Sequence, residues 1–357
     1  MFSGCGGSDL GLVGGFNFLG KKYKKLPYDI VFALDNDAKA VDTYNYNFDV
    51  QATLADIETF DIKKIPDFDV LVGGFPCQSF STVNPTKNPF DKRGKLYKRM
   101  SQILAEKKPK FFIAENVKGL LVLQGGQIFE GVKKDFEDQG YVVKHKLFNA
   151  ADYGVPQKRE RLFIVGIRKD IAFDFKFPEA TNFEGGVGSN GWVALKNVID
   201  SLIPENPKYY FSKKAVEGMK NAKNNMKRGL AQNLEAPCLT ITSHLAKVSL
   251  NSRDPVLMVN PKKEIYRRFT PLEAARIQSF PDTFKFPVSD ASAYKQIGNA
   301  IPPVLMWYVA NALMKQVEQR LEMRTSPSSK IQKESASHSS HTLLRGGNQI
   351  RILAEKN

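Results

Sequence analysis

Hydrophobic positions between residues 29 and 168 fall into short apolar runs that are separated by stretches with helical spacing. Four runs are rich in β-branched and aromatic residues and predict strands at residues 30–34, 68–72, 111–114 and 162–167. Strands of a parallel sheet that is covered on both faces read as continuous apolar runs, and helices alternate with them. The pattern therefore predicts an α/β fold with a mainly parallel sheet.

The pattern changes after residue 168. Residues 169–265 are irregular and rich in glycine, asparagine and lysine, which predicts a second, smaller domain. Helical spacing returns at residues 271–277 and 303–322, and we expect these segments to fold back onto the first domain. The tail, residues 324–357, contains a long run of serine and histidine and is predicted to be disordered, because it has too little apolar surface to offset the entropy cost of folding.

Charge indicates a class of partner. The chain has 52 Lys and Arg residues against 37 Asp and Glu residues, and its formal net charge is +15. An excess of this size is typical of proteins that bind a polyanion, and nucleic acid is the first candidate. The alternative is that the lysines only keep the protein soluble.

The cysteines exclude two classes of protein. Cys5, Cys77 and Cys238 are odd in number and form no Cys-x-x-Cys pair, so neither a disulfide framework nor a zinc site is predicted. The chain has no basic-then-apolar leader and no apolar stretch of about 18 residues. We therefore expect a cytoplasmic protein in a reducing compartment, with no bound metal and no association with a membrane.

The sequence around Cys77 predicts a shaped loop at the carboxyl end of a strand. Gly-Gly-Phe-Pro-Cys-Gln-Ser-Phe-Ser, at residues 73–81, follows the apolar run 68–72, and open α/β sheets bind their ligands at such ends. Pro76 restricts the backbone, and the glycine pair lets a ligand approach it closely. Cys77 is either a nucleophile or a small buried hydrophobic residue, and the loop alone leaves both open.

A glycine-rich turn at residues 2–12 leads into a predicted helix. Its spacing differs from the dinucleotide fingerprint, yet such turns let the backbone approach a nucleotide. Asp35 ends the run 30–34 where a carboxylate would bind ribose hydroxyl groups, so an adenosine-containing cofactor fits. The alternative is a turn that only closes a helix against the sheet.

Three charged residues are further candidates for the same cleft. Glu115 ends the strand 111–114 at the edge where Cys77 is expected, although a glutamate there could instead interact with a helix dipole. Arg159 and Arg161 precede the run 162–167 with a spacing that puts them on one face of an extended segment. Two guanidinium groups suit phosphates or carboxylates, while the alternative is a charge cluster on an edge strand.

Six segments occur in one order: Phe-Ser-Gly-x-Gly-Gly, Gly-Gly-Phe-Pro-Cys-Gln-Ser-Phe-Ser, Glu-Asn-Val, Gln-x-Arg-x-Arg, Arg-Phe-Thr-Pro-Leu-Glu-Ala-Ala-Arg-Ile-Gln-Ser-Phe-Pro-Asp and Gly-Asn-Ala-Ile-Pro-Pro. From residue 2 to about 313 the chain thereby resembles the DNA (cytosine-5)-methyltransferases of bacterial restriction-modification systems. The resemblance implies a Rossmann-like, S-adenosylmethionine-dependent sheet with a smaller, irregular target-recognition domain. It implies a catalytic domain at residues 1–168, completed by 290–323, and a target-recognition domain with its hinge at 169–289.

The resemblance also implies roles for individual residues. Cys77 is the expected nucleophile, Glu115 the contact to the target base, and Arg159 and Arg161 support the site. The residues at the positions of the family's S-adenosylmethionine contacts are Phe2, Cys5, Gly7, Asp35, Asn36, Asp56, Ile57, Pro76 and Asn299. The expected DNA contacts are Arg93 and Lys95, in a segment similar to the family's mobile loop, and Thr242, Ser243, His244, Lys247 and Arg253 in the variable insertion.

The activity implied is methyl transfer from S-adenosylmethionine to carbon 5 of a flipped-out cytosine, in a specific sequence of double-stranded DNA, through a covalent Cys77 adduct. We expect a monomer without an obligate protein partner. The family normally has an apolar strand directly before Phe-Ser-Gly, and no such strand precedes Phe2 here. One alternative is therefore a DNA-binding pseudoenzyme that lacks its first strand. Another is a cytosine-5 methyltransferase that acts on transfer RNA.

Overall fold

The computed structural model describes residues 1–75, 95–200, 206–221, 231–247, 256–325 and 350–354. The strands in these residues are β1 (Phe16–Phe18), β2 (Lys21–Tyr23), β3 (Tyr28–Asp35), β4 (Thr53–Leu54), β5 (Val70–Gly73), β6 (Phe111–Val117), β7 (Tyr141–Asn149), β8 (Gln157–Lys158), β9 (Glu160–Arg168), β10 (Cys238–Leu239), β11 (Leu257–Asn260), β12 (Ile265–Arg267) and β13 (Ile350–Ala354). The α-helices are α1 (Gly7–Val13), α2 (Ala38–Asn47), α3 (Lys95–Lys107), α4 (Gly119–Val122), α5 (Gln127–Asp138), α6 (Lys213–Lys220), α7 (Pro271–Ile277), α8 (Asp290–Asn299) and α9 (Pro303–Thr325).

The central sheet has the strand order β4-β3-β13-β5-β6-β9-β7. Neighbouring strands pair in parallel except at β9, which runs antiparallel to β6 and to β7. Strands β5 and β6 are buried along almost their whole length, because helices cover both faces of the sheet there. The predicted α/β class is confirmed.

Most predicted elements are found close to their predicted bounds. The four predicted strands correspond to β3, β5, β6 and β9, and the two predicted helices to α7 and α9. Strand β7 was not predicted, because its position at the sheet edge leaves several of its residues partly or fully exposed and breaks the apolar run. None of the described helices is long and apolar enough to cross a membrane.

Helix α1 follows the glycine-rich turn and packs closely on α9. A Cβ on Gly11 would lie 2.5 Å from the Pro303 carbonyl oxygen and 2.6 Å from the Met306 Cβ. Only glycine permits this approach, since real Cβ atoms do not come so close to other heavy atoms. The contact fixes the position of the turn against the carboxyl-terminal helix.

Residues 169–289 contain short elements and many turns. Strands β11 and β12 form an antiparallel pair, and β10 pairs in parallel with β8, which lies just before the arginine-bearing strand β9. This pairing connects the insertion directly to the active-site edge of the sheet. The division of the chain into domains at residues 168 and 289 stays a prediction.

The expectation of a disordered tail is wrong for residues 324–325, which belong to α9, and for residues 350–354. Residues 350–354 form β13, which lies in the middle of the central sheet between β3 and β5. The physical reason is that backbone groups on the facing edges of β3 and β5 need partners, and Ile-Arg-Ile-Leu-Ala supplies them in a sequence that favours strands. The sheet position that we expected to be vacant is therefore filled. Residues 326–349 and 355–357 lie outside the described residues.

Candidate active site

The carboxyl ends of β5 and β6 form one half of the site. A Cβ on Gly74, which directly follows β5, would lie 3.1 Å from Glu115 Oε2, so the backbone leaving β5 passes against the Glu115 carboxylate. Asn116 Nδ2 donates a hydrogen bond to the Phe75 carbonyl oxygen at 2.7 Å and fixes this backbone. Glu115 is thereby held beside the start of the loop that contains Cys77. Cys77 itself lies outside the described residues.

Glu115 forms a salt bridge with Arg161 across the antiparallel pair β6 and β9. Arg161 Nε lies 2.8 Å from Glu115 Oε1, and the two side chains are only 13% and 7% exposed. The register places Val117 opposite Arg161, so the side chains meet on a diagonal between neighbouring strands. A charge-assisted contact in such a protected place holds the carboxylate in a defined orientation.

Arg159 has different partners. Its guanidinium donates hydrogen bonds to the carbonyl oxygens of Ile241 at 3.0 Å, Gly298 at 2.8 Å and Ala300 at 3.2 Å. Burial, together with the nearby Arg161, lowers the pKa of Arg159. The guanidinium group thus connects its own segment to the backbone at Ile241 and to the backbone at residues 298–300. None of these hydrogen bonds goes to the Glu115 carboxylate.

The second half of the site is the glycine-rich turn at the end of β3. Gly4 N donates to Asp35 Oδ2 and Asp37 N donates to Asp35 Oδ1, both at 2.8 Å. The Asp35 carboxylate, 1% exposed, thus links the turn to the strand end. Gly6 has φ 90°, and a Cβ there would lie 2.3 Å from a ring carbon of Phe48. This turn therefore requires glycine for conformation and for space.

A cavity of about 460 Å³ opens beside this turn. Asn36 and Asn299, two predicted cofactor residues that are 263 positions apart, both contribute to its wall. The residues that line the cavity are Asn36, Asp37, Ala38, Ala40, Lys295, Gln296 and Asn299. Polar side chains and amide groups of this kind suit a nucleoside with its ribose and base edges.

Of the remaining predicted cofactor residues, Phe2, Cys5 and Gly7 belong to the glycine-rich turn or to the start of α1. Phe2 and Ile57 belong to one buried cluster, and Phe2 has φ 52°, an unusual conformation for a residue other than glycine. A Cβ on Gly7 would lie 2.8 Å from the carbonyl oxygen of Ile301, two residues after Asn299. Cys5 is completely buried and Asp56 is exposed. Pro76 lies outside the described residues.

These features occur together in one family. The family described as C-5 cytosine-specific DNA methylase matches residues 1–315 of this chain. The chain belongs to the C-5 cytosine-specific DNA methylases. This DNA methylase transfers the methyl group of S-adenosylmethionine to cytosine in DNA, and the family, the cofactor and DNA as the substrate polymer are confirmed as predicted.

Curated relatives of this DNA methylase are bacterial. The Type II methyltransferase M.FnuDI of Fusobacterium nucleatum is 32% identical over 336 residues, which cover 88% of this chain and 92% of the relative. The Type II methyltransferase M1.ScrFI of Lactococcus lactis subsp. cremoris is 34% identical over 324 residues, which cover 89% of this chain and 78% of the relative.

Solved structures support the fold of this DNA methylase. The Dnmt2 methyltransferase of S. pombe superposes with a TM-score of 0.70 at 19% identity and covers 88% of this chain and 97% of its own. A putative DNA modification methyltransferase encoded within an E. coli prophage has a TM-score of 0.65 at 22% identity, with coverages of 89% and 98%. The Rossmann-like methyltransferase sheet expected from the sequence is confirmed.

The predicted DNA contacts of this methylase are described only in part. Thr242, Ser243 and His244 form a short turn, in which His244 N donates to Thr242 Oγ1 at 3.1 Å. A Cβ on Gly298 would lie 2.2 Å from the Thr242 carbonyl carbon, so this turn rests on the backbone next to Asn299. Arg93 and Arg253 lie outside the described residues, and for Lys95 and Lys247 only the backbone is described.

Two buried glutamines that sequence reasoning did not select hold this arrangement together. Gln157 Nε2 donates to Gln278 Oε1, and Gln278 Nε2 donates to the Ala300 carbonyl oxygen. Gln157 Oε1 accepts a hydrogen bond from Ile241 N at 3.1 Å. Gln157 stands in the Gln-x-Arg-x-Arg segment, so its place in that motif was the available signal. Gln278 stands in the segment at residues 268–282, so its place in that segment was the available signal.

Asp9 in α1 was also not selected. It is completely buried, and burial raises its pKa to about 7 against the opposing effect of hydroxyl groups on Tyr44 and Ser8. The residue belongs to the helix that begins at the glycine turn. A carboxyl group with a pKa near neutral pH therefore lies in α1, the helix that begins at the glycine-rich turn.

Proposed function

We propose that Cys77 is the nucleophile of this methyltransferase and that Glu115, oriented by Arg161, binds the target cytosine. The observation that carries the proposal is the position of the Glu115 carboxylate, which the Gly74 backbone approaches at the start of the Cys77 loop. A nucleophile and a carboxyl group at one strand edge are the two groups that the reaction requires.

The chemistry explains why both groups are needed. Carbon 5 of cytosine is a poor nucleophile until a thiolate adds to carbon 6 and turns the ring into an enamine. Cys77 forms that bond, carbon 5 then takes the methyl group, and loss of the carbon 5 proton restores the ring as the carbon to sulfur bond breaks. Bound S-adenosylmethionine supplies the methyl group as an electrophile.

Glu115 stabilises the developing charge in this proposal. Its carboxyl group contacts ring nitrogen 3 and the exocyclic amine, whose electron distribution changes when the thiolate adds. Arg161 keeps the carboxylate in position through the 2.8 Å contact, so little reorganisation is needed during the reaction. Arg159 acts as a positioning residue, because its hydrogen bonds go to backbone carbonyl groups.

We propose that S-adenosylmethionine binds across the glycine turn and the 460 Å³ cavity. Gly6 and Gly7 hold the turn in place by close packing against Phe48 and Ile301, and Asn36 and Asn299 line the cavity wall. Asp35, at the end of β3, belongs to the proposed cofactor set and holds the glycine turn through Gly4 N. Phe2, Cys5, Asp56, Ile57 and Pro76 complete the proposed cofactor set.

We propose that the substrate is a specific sequence of double-stranded DNA, methylated as part of a bacterial restriction-modification system. The target base must leave the stack, because carbons 5 and 6 are not accessible inside a duplex. The proposed DNA contacts are Arg93, Lys95, Thr242, Ser243, His244, Lys247 and Arg253. We further propose that the protein works as a monomer in the cytoplasm, without an obligate protein partner.

The test is methyl transfer from labelled S-adenosylmethionine to unmethylated genomic DNA. We expect incorporation by the intact protein, none by Cys77→Ala, and none into transfer RNA. The Cys77→Ser variant should still bind DNA. Retained methyl transfer by either Cys77 variant would contradict the nucleophile assignment, and preferential labelling of transfer RNA would contradict the DNA substrate.

A further inference from the structure

The carboxyl-terminal strand β13 occupies a position with two neighbours. Its residues pair with β3 on one side and with β5 on the other, in parallel on both sides. On the β3 side, Ile350 pairs with Tyr28, Arg351 with Asp29, Ile352 with Ile30, Leu353 with Phe32 and Ala354 with Ala33. On the β5 side, Ile352 pairs with Val70 and Leu353 with Leu71. It is therefore an internal strand of the sheet.

The neighbours of β13 lead to the two halves of the active site. Strand β3 ends at Asp35, whose carboxylate holds the glycine turn through Gly4 N. Strand β5 ends at Gly73 and continues through Gly74 toward Cys77. Since neighbouring strands are about 4.8 Å apart, one strand between β3 and β5 sets their separation at about 10 Å. The spacing between the cofactor turn and the Cys77 loop thus depends on β13.

The glycine turn continues the line of β13. Ala354 pairs with Ala33, and Leu34, the next residue of β3, receives a hydrogen bond from Ser3 N at 2.8 Å. Leu34 N in turn donates to Ser3 Oγ at 3.1 Å. Ala354 and Ser3 therefore lie one after the other along the same edge of β3.

The same chain can supply this strand. Helix α9 ends at Thr325, and the 24 residues from 326 to 349 would span at most about 80 Å if extended. A chain of this size has a radius of gyration of roughly 20 Å, so the tether is long enough for any path around the molecule. Because the strand is linked to the same chain, its effective concentration at the sheet is also high.

Without β13 the site would lose its support. The backbone groups of β3 from Tyr28 to Ala33 and of β5 at Val70 and Leu71 would lose their partners in the middle of the sheet. Those unpaired edges would let β3 and β5 move relative to each other. The turn at Ser3 and Gly4 would lose β13, its neighbour along the edge of β3.

We propose that residues 350–354 are a positioning element of the active site: by docking between β3 and β5, the carboxyl-terminal strand sets the distance between the cofactor turn and the Cys77 loop, and cofactor binding and methyl transfer depend on it. The part that concerns Cys77 rests on the proposed function. The part that concerns the cofactor turn stands independently of the nucleophile.

The first test is hydrogen exchange of the intact protein. We expect the amides of residues 351–354 to exchange at least about 100-fold more slowly than in an unstructured chain, as amides of internal strands do. Exchange of these amides at the unstructured rate would overturn the proposal. This measurement needs no variant, so a variant that fails to fold cannot leave the proposal undecided.

The second test compares variants of one residue. Leu353→Pro removes a backbone donor and Leu353→Gly weakens the strand, whereas Leu353→Val keeps its strand preference. We expect the affinity for S-adenosylmethionine to fall at least tenfold in Leu353→Pro, by less in Leu353→Gly, and not in Leu353→Val. The matched control is Ser337→Pro in the same tail, which should bind as the unaltered protein does.

The readouts separate this inference from the proposed function. Wild-type cofactor affinity in a folded Leu353→Pro protein would overturn the role of β13, whatever happens to methyl transfer. Conversely, if Cys77 variants kept full activity while the Leu353 series lost cofactor affinity in the expected order, the nucleophile assignment would fail and the role of β13 would stand.

Discussion

At the scale of the residue, the proposed site contains a protected ion pair, Glu115 and Arg161, whose two members have different roles. In the proposed mechanism Glu115 contacts the substrate, whereas Arg161 contacts Glu115 at 2.8 Å. Removing one partner of a buried ion pair leaves the other charge uncompensated, and that loss exceeds the small contribution of a surface pair. Arg161 should therefore matter more for turnover than for DNA affinity.

We predict that Arg161→Ala lowers kcat by about 100-fold or more, because the carboxylate loses its orientation in the transition state. The affinity for DNA should change much less. Single-turnover methyl transfer and equilibrium DNA binding measure the two quantities. The matched control is Arg168→Ala, at the other end of β9, where the arginine pairs with Asp170. Equal losses of activity in the two variants would contradict the assigned role.

Asp9 gives a prediction about pH. Burial raises its pKa in the folded protein to about 7, so the folded state holds a proton that the unfolded state has released between about pH 4 and pH 7. Stability therefore falls as the pH rises through this window, and the penalty is fully present above pH 7. From the two pKa values this penalty is at most about 4 kcal/mol.

We predict that Asp9→Asn removes this pH dependence. The free energy of unfolding of the variant should exceed that of the wild type at pH 8, and the difference should shrink toward pH 5. Denaturant unfolding across the pH range measures it. Asp49→Asn, at an exposed position, is the control and should follow the wild type. A difference that does not change with pH would contradict the prediction.

At the scale of the element, the end of α8 and the turn at Thr242 pack backbone against backbone. Arg159 and Gln157 bind the adjoining segments, so the turn at Thr242, Asn299 and the arginine-bearing strand form one connected unit. A shift of the turn at Thr242 would therefore displace the backbone next to Asn299, which lines the 460 Å³ cavity. If the turn contacts DNA and the cavity binds the cofactor, as proposed, this packing couples the two functions.

We predict that Gly298→Ala disturbs both functions at once. The new Cβ would lie 2.2 Å from the Thr242 carbonyl carbon, so the turn must move, and stability should fall by about 1–3 kcal/mol. Affinities for DNA and for S-adenosylmethionine should both decrease. Gly131→Ala in α5, where a Cβ meets nothing within 4 Å, should instead stabilise the protein by about 0.5–1 kcal/mol. Unchanged binding by Gly298→Ala would refute the connection.

At the scale of the whole molecule, the net charge of +15 favours any polyanion. Such attraction steers the protein to DNA and releases counterions from the phosphates, but it reads no sequence. In the proposed function the specific contacts come from side chains at and near Thr242, Ser243 and His244. Charge and specificity are therefore separable properties of this protein.

We predict that DNA affinity falls by about 10³-fold between 50 and 200 mM salt, as for a protein that makes six or more phosphate contacts. Fluorescence anisotropy over a salt series measures the slope. S-adenosylmethionine affinity serves as the control and should change far less over the same range. A flat response of DNA binding would argue against an interface rich in phosphate contacts.

The class of the fold and the types of residue at the site were predictable from the sequence. Continuous apolar runs gave β3, β5, β6 and β9, because burial on both faces leaves that pattern in the residues themselves. The edge strand β7 was missed for the same reason, since partial exposure breaks the run. Glu115 was predictable because it directly follows a recognisable strand.

Only the tertiary structure decided which distant segments meet. It separated Arg159, bound to backbone carbonyl groups, from Arg161, bound to Glu115, although the two are alike in sequence. It also placed residues 350–354 in the middle of the sheet, far along the chain from β3 and β5. The physical reason is that these partners are chosen by unsatisfied hydrogen-bonding groups brought together by folding, and such groups have no signature in the local sequence.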